Sequence, residues 1–518
     1  MWRRLFSARL FEQMFAKSAG CDIIILLQTK RRTNMGNILD TLEPKEVYRF
    51  FKEISAIPRP SHHTEKISAY LERFGLERGL YTRRDDLGNV VIKKEASEGF
   101  KDKEAVILQG HMDMVAVKTP DSAVDPYKDG LDLQVEDGYL YAKGTSLGGD
   151  DGIAVAFMLA LLDGDYELPK LECIFTVEEE VGMDGALGLD MSDIEGKELI
   201  NIDSEVEGIL TLGCAGGIRL NGKFKLEKEN TYSGKITEIN ISGLKGGHSG
   251  IMIHLGRANS HKLMGRVIKT LETDGVDYRL VSIEGGEKDN AIANNTTVKL
   301  VIKAGEDKLQ DIIRKCEDAF KKEYEGIEDN IRVNVSSQEA EDTVYYNKAT
   351  AKRIVDFLNI VPDGVIKMSE DLPDMVETSL NIGTIVMEDD YIVTDQLLRS
   401  NAKAGKKEIL DMVSKCIQDV GAESVVFGDC PNWEYRKDSP LREKMVRIFK
   451  EEYGYEPKLE VVHAGLECGI FCDKKDDLDP VSIGPNILDI HTVKEKLDIE
   501  SVNRTWKYLL KILQDVEG

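Results

Sequence analysis

Ala105-Val-Ile-Leu-Gln-Gly-His-Met-Asp113 is an apolar run that ends in a histidine and an aspartate two residues apart. Residues i and i+2 of an extended strand point to the same side, so His111 is placed to hold a metal while Asp113 fixes its ring. A carboxylate behind a ligating imidazole sets its tautomer and orientation. Alone the pair means little in a chain with eight histidines, since short motifs recur by chance. Its weight depends on what the rest of the chain brings to it.

Three further acidic signals stand where apolar runs end or turns open. In Gly144-Thr-Ser-Leu-Gly-Gly-Asp150-Asp151-Gly-Ile153 the glycines allow a tight turn, and Asp150 or Asp151 opens the helix that follows. A plain N-cap accounts for that aspartate as well as a metal does. Phe175-Thr-Val-Glu-Glu-Glu180-Val-Gly182 ends an apolar strand in three carboxylates, and Leu199-Ile-Asn-Ile-Asp203-Ser-Glu205 ends another in Asp203. Solvated acidic turns are common, but like charges at a buried strand end are costly unless a cation compensates. Far downstream, Ser482-Ile-Gly-Pro-Asn-Ile-Leu-Asp-Ile-His491 adds a second histidine, equally readable as a surface-loop residue. Together these groups offer mixed nitrogen and oxygen donors suited to zinc and similar divalent ions, with a carboxylate able to bridge two of them. A paired-metal site hydrolyses amides by lowering the pKa of a bridging water and polarising the carbonyl, and a free carboxylate serves as general base.

The texture of the chain predicts the architecture. A helical stripe of Val47, Phe50, Phe51 and Ile54 precedes the Pro58-Arg-Pro60 break, and a second helix starts near Thr64. Short apolar runs around 89–92, 106–108, 173–177 and 199–202 alternate with helices at 153–162 and near Ala186, which predicts an α/β layer structure with a covered mixed sheet. After Cys214 the strands alternate polar and apolar, as in Thr237-Glu-Ile-Asn-Ile-Ser242, and helices intervene near 257–271, 309–324 and 349–358. That pattern predicts an antiparallel α+β domain over 215–430. Buried α/β texture returns at 459–462 and 481–483. His111 meets His491 only if the chain leaves the α/β domain of 35–214 and re-enters it over 431–518.

The net charge of −25 disfavours nucleic acid and anionic membranes as partners, and no apolar run is long enough to span a bilayer. Eight cysteines without Cys-x-x-Cys spacing fit reduced thiols in a cytoplasmic protein. Residues 1–34 differ from the rest, with seven Lys/Arg against Glu12 and Asp22. They read as an extension upstream of a true start at Met35, or as a mitochondrial-type presequence.

In order along the chain, His111-x-Asp113, Leu147-Gly-Gly-Asp150-Asp-Gly, Glu178-Glu-Glu180-Val-Gly, Asn201-Ile-Asp203-Ser-Glu, Gly246-Gly-His248-Ser-Gly and Gly484-Pro with His491 resemble the dinuclear zinc peptidases of the aminoacylase and carboxypeptidase type. Within them the resemblance is greatest to the aminoacyl-histidine dipeptidases, the cytosolic non-specific dipeptidases. It runs from about Met35 to the C-terminus and includes His463-Ala-Gly-Leu-Glu-Cys-Gly469. It implies that His111, Asp150 and Asp203 bind one zinc, that Asp150, Glu180 and His491 bind the other, and that Co2+ or Mn2+ substitute. Asp150 is then the bridge, Asp113 clamps His111, and Asp151 supports. Glu178 and Glu179 compete as general base; Glu179 is preferred because in the family the base directly precedes the ligand glutamate.

The resemblance further implies a lid and dimerisation domain over 215–430 and a homodimer. His248 would reach the neighbouring subunit's site and steady the oxyanion, Arg399 would grip the substrate's C-terminal carboxylate, and Asn290 would assist. His463 and Glu467, four residues apart, are read as one helix face, with His463 in the substrate group. The implied activity is hydrolysis of dipeptides, Xaa-His included. Rival readings are an N-acyl-amino-acid deacylase or tripeptide aminopeptidase on the same scaffold, and a non-catalytic scaffold protein.

Overall fold

A computed structural model describes residues 39–230, 232–339 and 344–515; the expectations for residues 1–34 lie outside the described residues. The chain divides into two compact units, Met1–Leu210 with Asp438–Leu459 and Asp477–Gly518, and Thr211–Lys437 with Glu460–Asp476. The sequence expectation placed everything after 430 in one returning segment. Instead Glu460–Asp476, with His463, is part of the second unit.

The strands lying wholly in the first unit run in the order Tyr81–Arg84, Val90–Lys94, Leu171–Thr176, Val106–His111, Glu198–Asn201 and Asp479–Ser482. Val106–His111 is parallel to both of its neighbours, with His111 beside Thr176 and Gln109 beside Asn201. Asp479–Ser482 is parallel to Glu198–Asn201, while Val90–Lys94 is antiparallel to Leu171–Thr176. The sheet is therefore mixed, and its four parallel strands end on the same edge. Both central strands are buried at every position, as strands covered on both faces must be.

Helix Gly149–Asp163 is buried along nearly its whole length, and its first turn starts at that edge. A glycine at 110 makes this possible: a Cβ there would lie 2.4 Å from an Asp151 oxygen and 2.5 Å from the Ala154 Cβ. Gly484 plays the same part in the returning segment, where a Cβ would fall 1.6 Å from the Ser204 carbonyl oxygen. The helix Lys45–Ser55 buries Val47, Phe50, Phe51 and Ile54, the stripe read from the sequence.

The second unit is built on an antiparallel sheet in the order Arg332–Glu339, Lys235–Ser242, Thr296–Ile302, Tyr278–Gly285, Val376–Met387, Tyr391–Ser400, Gly216–Lys225 and Glu423–Cys430. The inward residues of Lys235–Ser242 alternate with half-buried ones. They join a core with helices Ser260–Thr273, Glu306–Glu323, Lys348–Ile360 and Lys403–Asp419, in which the rings of Phe224 and Phe357 pack at a tilt with centroids 5.1 Å apart. Among the described residues, no helix is long and apolar enough to cross a membrane.

Candidate active site

The predicted ligands of the first unit converge at the carboxyl ends of its parallel strands, where open α/β sheets hold ligands. His111 closes its strand, the three glutamates follow Leu171–Thr176, Asp203 follows Glu198–Asn201, and His491 follows the turn after Asp479–Ser482. Asp150 is central. Its Oδ1 lies 3.0 Å from His111 Nε2 and its Oδ2 lies 3.1 Å from His491 Nε2. His491 Nε2 is also 2.9 Å from Glu180, and His111 Nε2 is 3.5 Å from Asp203. Two overlapping sets, His111 with Asp150 and Glu180, and His111 with Asp151 and Asp203, have donor atoms within 4.8 Å of one another. Asp113 stands behind His111, its Oδ1 3.4 Å from Nδ1.

The three glutamates are distinguished by their partners. Glu178, at a left-handed φ of 59°, accepts from the His62 N–H at 2.8 and 2.9 Å and lies 2.9 Å from the His62 imidazole. Glu180 faces His491. Between them, the Glu179 N–H donates to Asp113 at 3.2 Å, so the carboxylate that backs His111 also anchors the glutamate turn. Ser61 donates to the same carboxylate at 2.8 Å.

Asp150 is not a cap. The N-cap is Gly148, and the free amides at the start of the helix go to Glu495 instead: it accepts from Leu147, Gly148 and Gly149 at 2.9, 3.0 and 2.7 Å. That leaves the Asp150 carboxylate free to face the two imidazoles. Asp151, joined to Asp150 by a cis peptide bond, accepts the His111 N–H at 3.1 Å. Buried Arg59 ties the turn from the other side, donating to the carbonyls of Met112 and Asp113 at 3.0 and 3.1 Å and to that of Gly148.

These positioning groups escaped the sequence reading. Each acts on backbone N–H or C=O groups, which carry no residue identity. The available signals were the Arg59 between two prolines and the Glu495 four residues after His491.

The charges are crowded. Burial works against a charged His111, yet the carboxylates of Asp203, Asp113 and Asp150 outweigh it and raise its pKa well above the ordinary value. Hydrogen bonds to Asp150 and Glu180 push His491 up to about 10. Burial pushes Asp203 up to about 6, with His111 offsetting part of it and the Asp150 and Glu180 charges adding to it. Burial and the neighbouring Asp203 charge likewise push Glu205 up to about 7. Asp150 goes the other way: burial raises it, but the two imidazoles hold it well below the usual carboxylate range. Protons thus stand where carboxylates outnumber cations. Glu180 Oε1 is buried with no hydrogen-bond partner, an acceptor that a cation would satisfy. The donor set fits a divalent metal: imidazole nitrogens and carboxylate oxygens, one carboxylate facing both ways.

The other predicted residues meet in the second unit. His248 pairs with Ala291 in a two-stranded ladder, and the Ser249 N–H donates to the Asn290 carbonyl at 2.8 Å, which brings Asn290 beside it. His248 Nδ1 accepts from the N–H groups of Gly250 and Ile251 at 3.1 and 3.2 Å, so its proton sits on Nε2. Burial and the Arg399 charge lower its pKa, keeping the ring neutral. Arg399 stands on the strand Tyr391–Ser400 between Ser379 and Gly217. Only 9% exposed, it forms no ion pair with a described residue, and its Nε has no hydrogen-bond partner. Burial, reinforced by Arg219, lowers its pKa to about 10.

His463 and Glu467 do not share a helix. Extended Val461-Val462 carries the chain to His463, and the helix begins only at Glu467, after Gly465 and an extended Leu466. His463 is buried with Nε2 2.7 Å from the Ser379 hydroxyl, and burial and Arg399 push its pKa down to about 3.

Comparison with known proteins bears on the family and the fold. The sequence model described as "Peptidase family M20/M25/M40" matches residues 107–515. The chain is 34% identical over 481 residues to the cytosol non-specific dipeptidase of Escherichia coli K12, covering 92% of this chain and 99% of that one. The crystal structure of aminoacylhistidine dipeptidase from Vibrio alginolyticus superposes with a TM-score of 0.86 at 36% identity, covering 92% of this chain and 97% of that one. An aminopeptidase from Bacillus cereus, at 15% identity and a TM-score of 0.52 over 91% of this chain and 98% of that one, shares the fold alone.

Proposed function

The chain belongs to peptidase family M20/M25/M40, and from that membership we propose that it is a metal-dependent dipeptidase, hydrolysing dipeptides, Xaa-His among them, to free amino acids. One observation carries the hydrolytic reading: Asp150 turns one oxygen to His111 and the other to His491, 341 residues further on, beside a buried Glu180 oxygen with no partner. His111, Asp150 and Asp203 would hold one zinc, and Asp150, Glu180 and His491 a second, with Co2+ or Mn2+ as substitutes. Bound zinc would lower the pKa of water and polarise the scissile carbonyl.

The chain's own groups do the rest. Glu179 takes the attacking water's proton and returns it to the leaving amine. Its rival as base, Glu178, is engaged by the His62 N–H and imidazole. Asp113 holds the His111 ring. His248, neutral and carrying its proton on Nε2, is a donor suited to steadying an oxyanion in a partner subunit. Arg399, buried without a counter-ion among the described residues, grips the substrate's C-terminal carboxylate, and Asn290 assists. His463 stays in this group because the Arg399 charge bears on it.

A homodimer through the second unit is supported by its edge strand Glu423–Cys430, which exposes Val425, Val426 and Phe427. A cytoplasmic setting is supported by the seven described cysteines, which form no disulfide among the described residues.

The deciding experiment assays zinc-loaded protein on Xaa-His and other dipeptides, tripeptides and N-acetyl amino acids. We expect free amino acids from the dipeptides. Cleavage confined to tripeptides or acetylated amino acids would refute the dipeptidase reading. Glu179→Ala should lower kcat by about 10²–10⁴-fold with metal content retained. Near-normal turnover would remove Glu179 as the base.

A further inference from the structure

Arg399 has an acidic neighbour that it does not pair with. Across three adjacent strands, Asn381, Leu397 and Arg219 form one row, and Ser379, Arg399 and Gly217 form the row two residues along. Side chains two residues apart on neighbouring strands share a face and lie about 7–8 Å from each other, within reach of arginine. Asp289 is anchored over the first row: its carbonyl and that of Ala291 accept from Asn381 Nδ2 at 2.8 and 2.9 Å. Its carboxylate accepts from its neighbour's N–H, that of Asn290, at 2.8 Å and is ion-paired with Arg219 Nε. The Asp289 charge is nonetheless felt at Arg399, against the opposing charge of Arg219.

A carboxylate whose ion-pair partner Arg219 stands one diagonal step from Arg399 on the same sheet face is a competitor for any anion that Arg399 is to bind. We infer that Arg219 holds Asp289 away from Arg399 and so keeps the substrate-carboxylate site open, making the Arg219–Asp289 pair a determinant of substrate affinity. The inference rests on the reading of Arg399 as the group that takes the substrate's C-terminal carboxylate. Arg219 and Asp289 are positioning residues: they act through Arg399 and have no part in the bond-making step.

Steady-state kinetics of the zinc-loaded enzyme on one dipeptide tests this. Arg219→Met frees Asp289 to turn toward Arg399, and KM should rise by about ten-fold, equivalent to about 1.4 kcal/mol, with kcat nearly unchanged. Arg219→Lys keeps a cation beside Asp289 and should stay near the parent KM. The double variant Arg219→Met/Asp289→Asn removes the competitor and should return KM to the parent value, a rescue that damage to the fold would not produce. An unchanged KM in Arg219→Met, or a double variant as impaired as the single one, overturns the inference. Arg399→Met separates it from its premise. If that variant binds substrate normally, the Arg399 reading falls and takes the inference with it; if it binds weakly and the double variant shows no rescue, the inference alone falls.

Discussion

The predicted ligand cluster of the first unit, buried except at His491, and the buried Arg399 of the second are incomplete in opposite senses. Around His111 and His491 stand Asp150, Asp203, Glu180, Asp151 and Asp113, more carboxylate than two imidazoles neutralise; they raise the pKa of His111 against its burial and that of His491, while burial first and then the neighbouring charges raise Asp203. Around Arg399 there is the reverse: a guanidinium with no carboxylate partner among the described residues, whose charge adds to burial in lowering the pKa values of His248 and His463. Burying unpaired charge destabilises a fold. On the proposed reading a partner arrives from outside at each site, of the sign the site lacks: cations at the first, an anion at the second.

Removing the bridge should have the largest effect. Asp150→Ala takes an oxygen from both imidazoles at once, so metal analysis should show both positions emptied together and activity lost. Undiminished metal content would break the comparison on its acidic side. Arg399→Met probes the other side with two readouts of opposite sign. Substrate affinity should weaken by about 2–5 kcal/mol, while the substrate-free protein should gain about 1–2 kcal/mol against denaturant, because an unpaired buried charge is gone. Loss of stability in that variant would mean that Arg399 has a structural partner.

Smaller effects sharpen the contrast. Glu495→Ala leaves the amides of 147–149 without their acceptor and should weaken metal binding by about 10–100-fold, read by competition with a chelating dye. Unchanged metal affinity would show that the turn holds Asp150 without it. His463 gives the smallest signal, in pH dependence. Its pKa falls from 6.5 to about 3 on folding, so the unfolded chain binds the proton more readily. The stability it contributes is fully present above pH 6.5 and is lost as pH falls toward 3. His463→Gln should flatten the urea-midpoint profile across that window; an unaltered slope would place the acid sensitivity elsewhere.

The proposed ligands were legible because their chemistry is written in side-chain identity at recognisable places: His111, Asp203 and Glu180, in its run of three glutamates, at the ends of apolar strands, Asp150 in a glycine turn. Glu495 and Arg59 were not, since they grip backbone groups. The strands Val376–Met387, Tyr391–Ser400 and Glu423–Cys430 were passed over, although Arg399 rides on the second of them. Their patterns follow packing on both faces or an exposed edge rather than clean alternation. The helix expected over His463 and Glu467 failed because extended β-branched residues and a glycine outweigh the four-residue spacing.

By itself the sequence determined the donor types, the two α/β segments separated by an antiparallel excursion, and the necessity that the chain return so that His491 can reach His111. These follow from hydrophobic period and residue chemistry, which are local. Only the tertiary structure decided that Glu178 is held by His62, that Glu495 and Arg59 tie the turn before Asp150, and that Arg399 forms no ion pair with a described residue while Asp289 is held by Arg219. Those are differences of a few ångströms between chemically equivalent groups, set by backbone contacts between segments hundreds of residues apart.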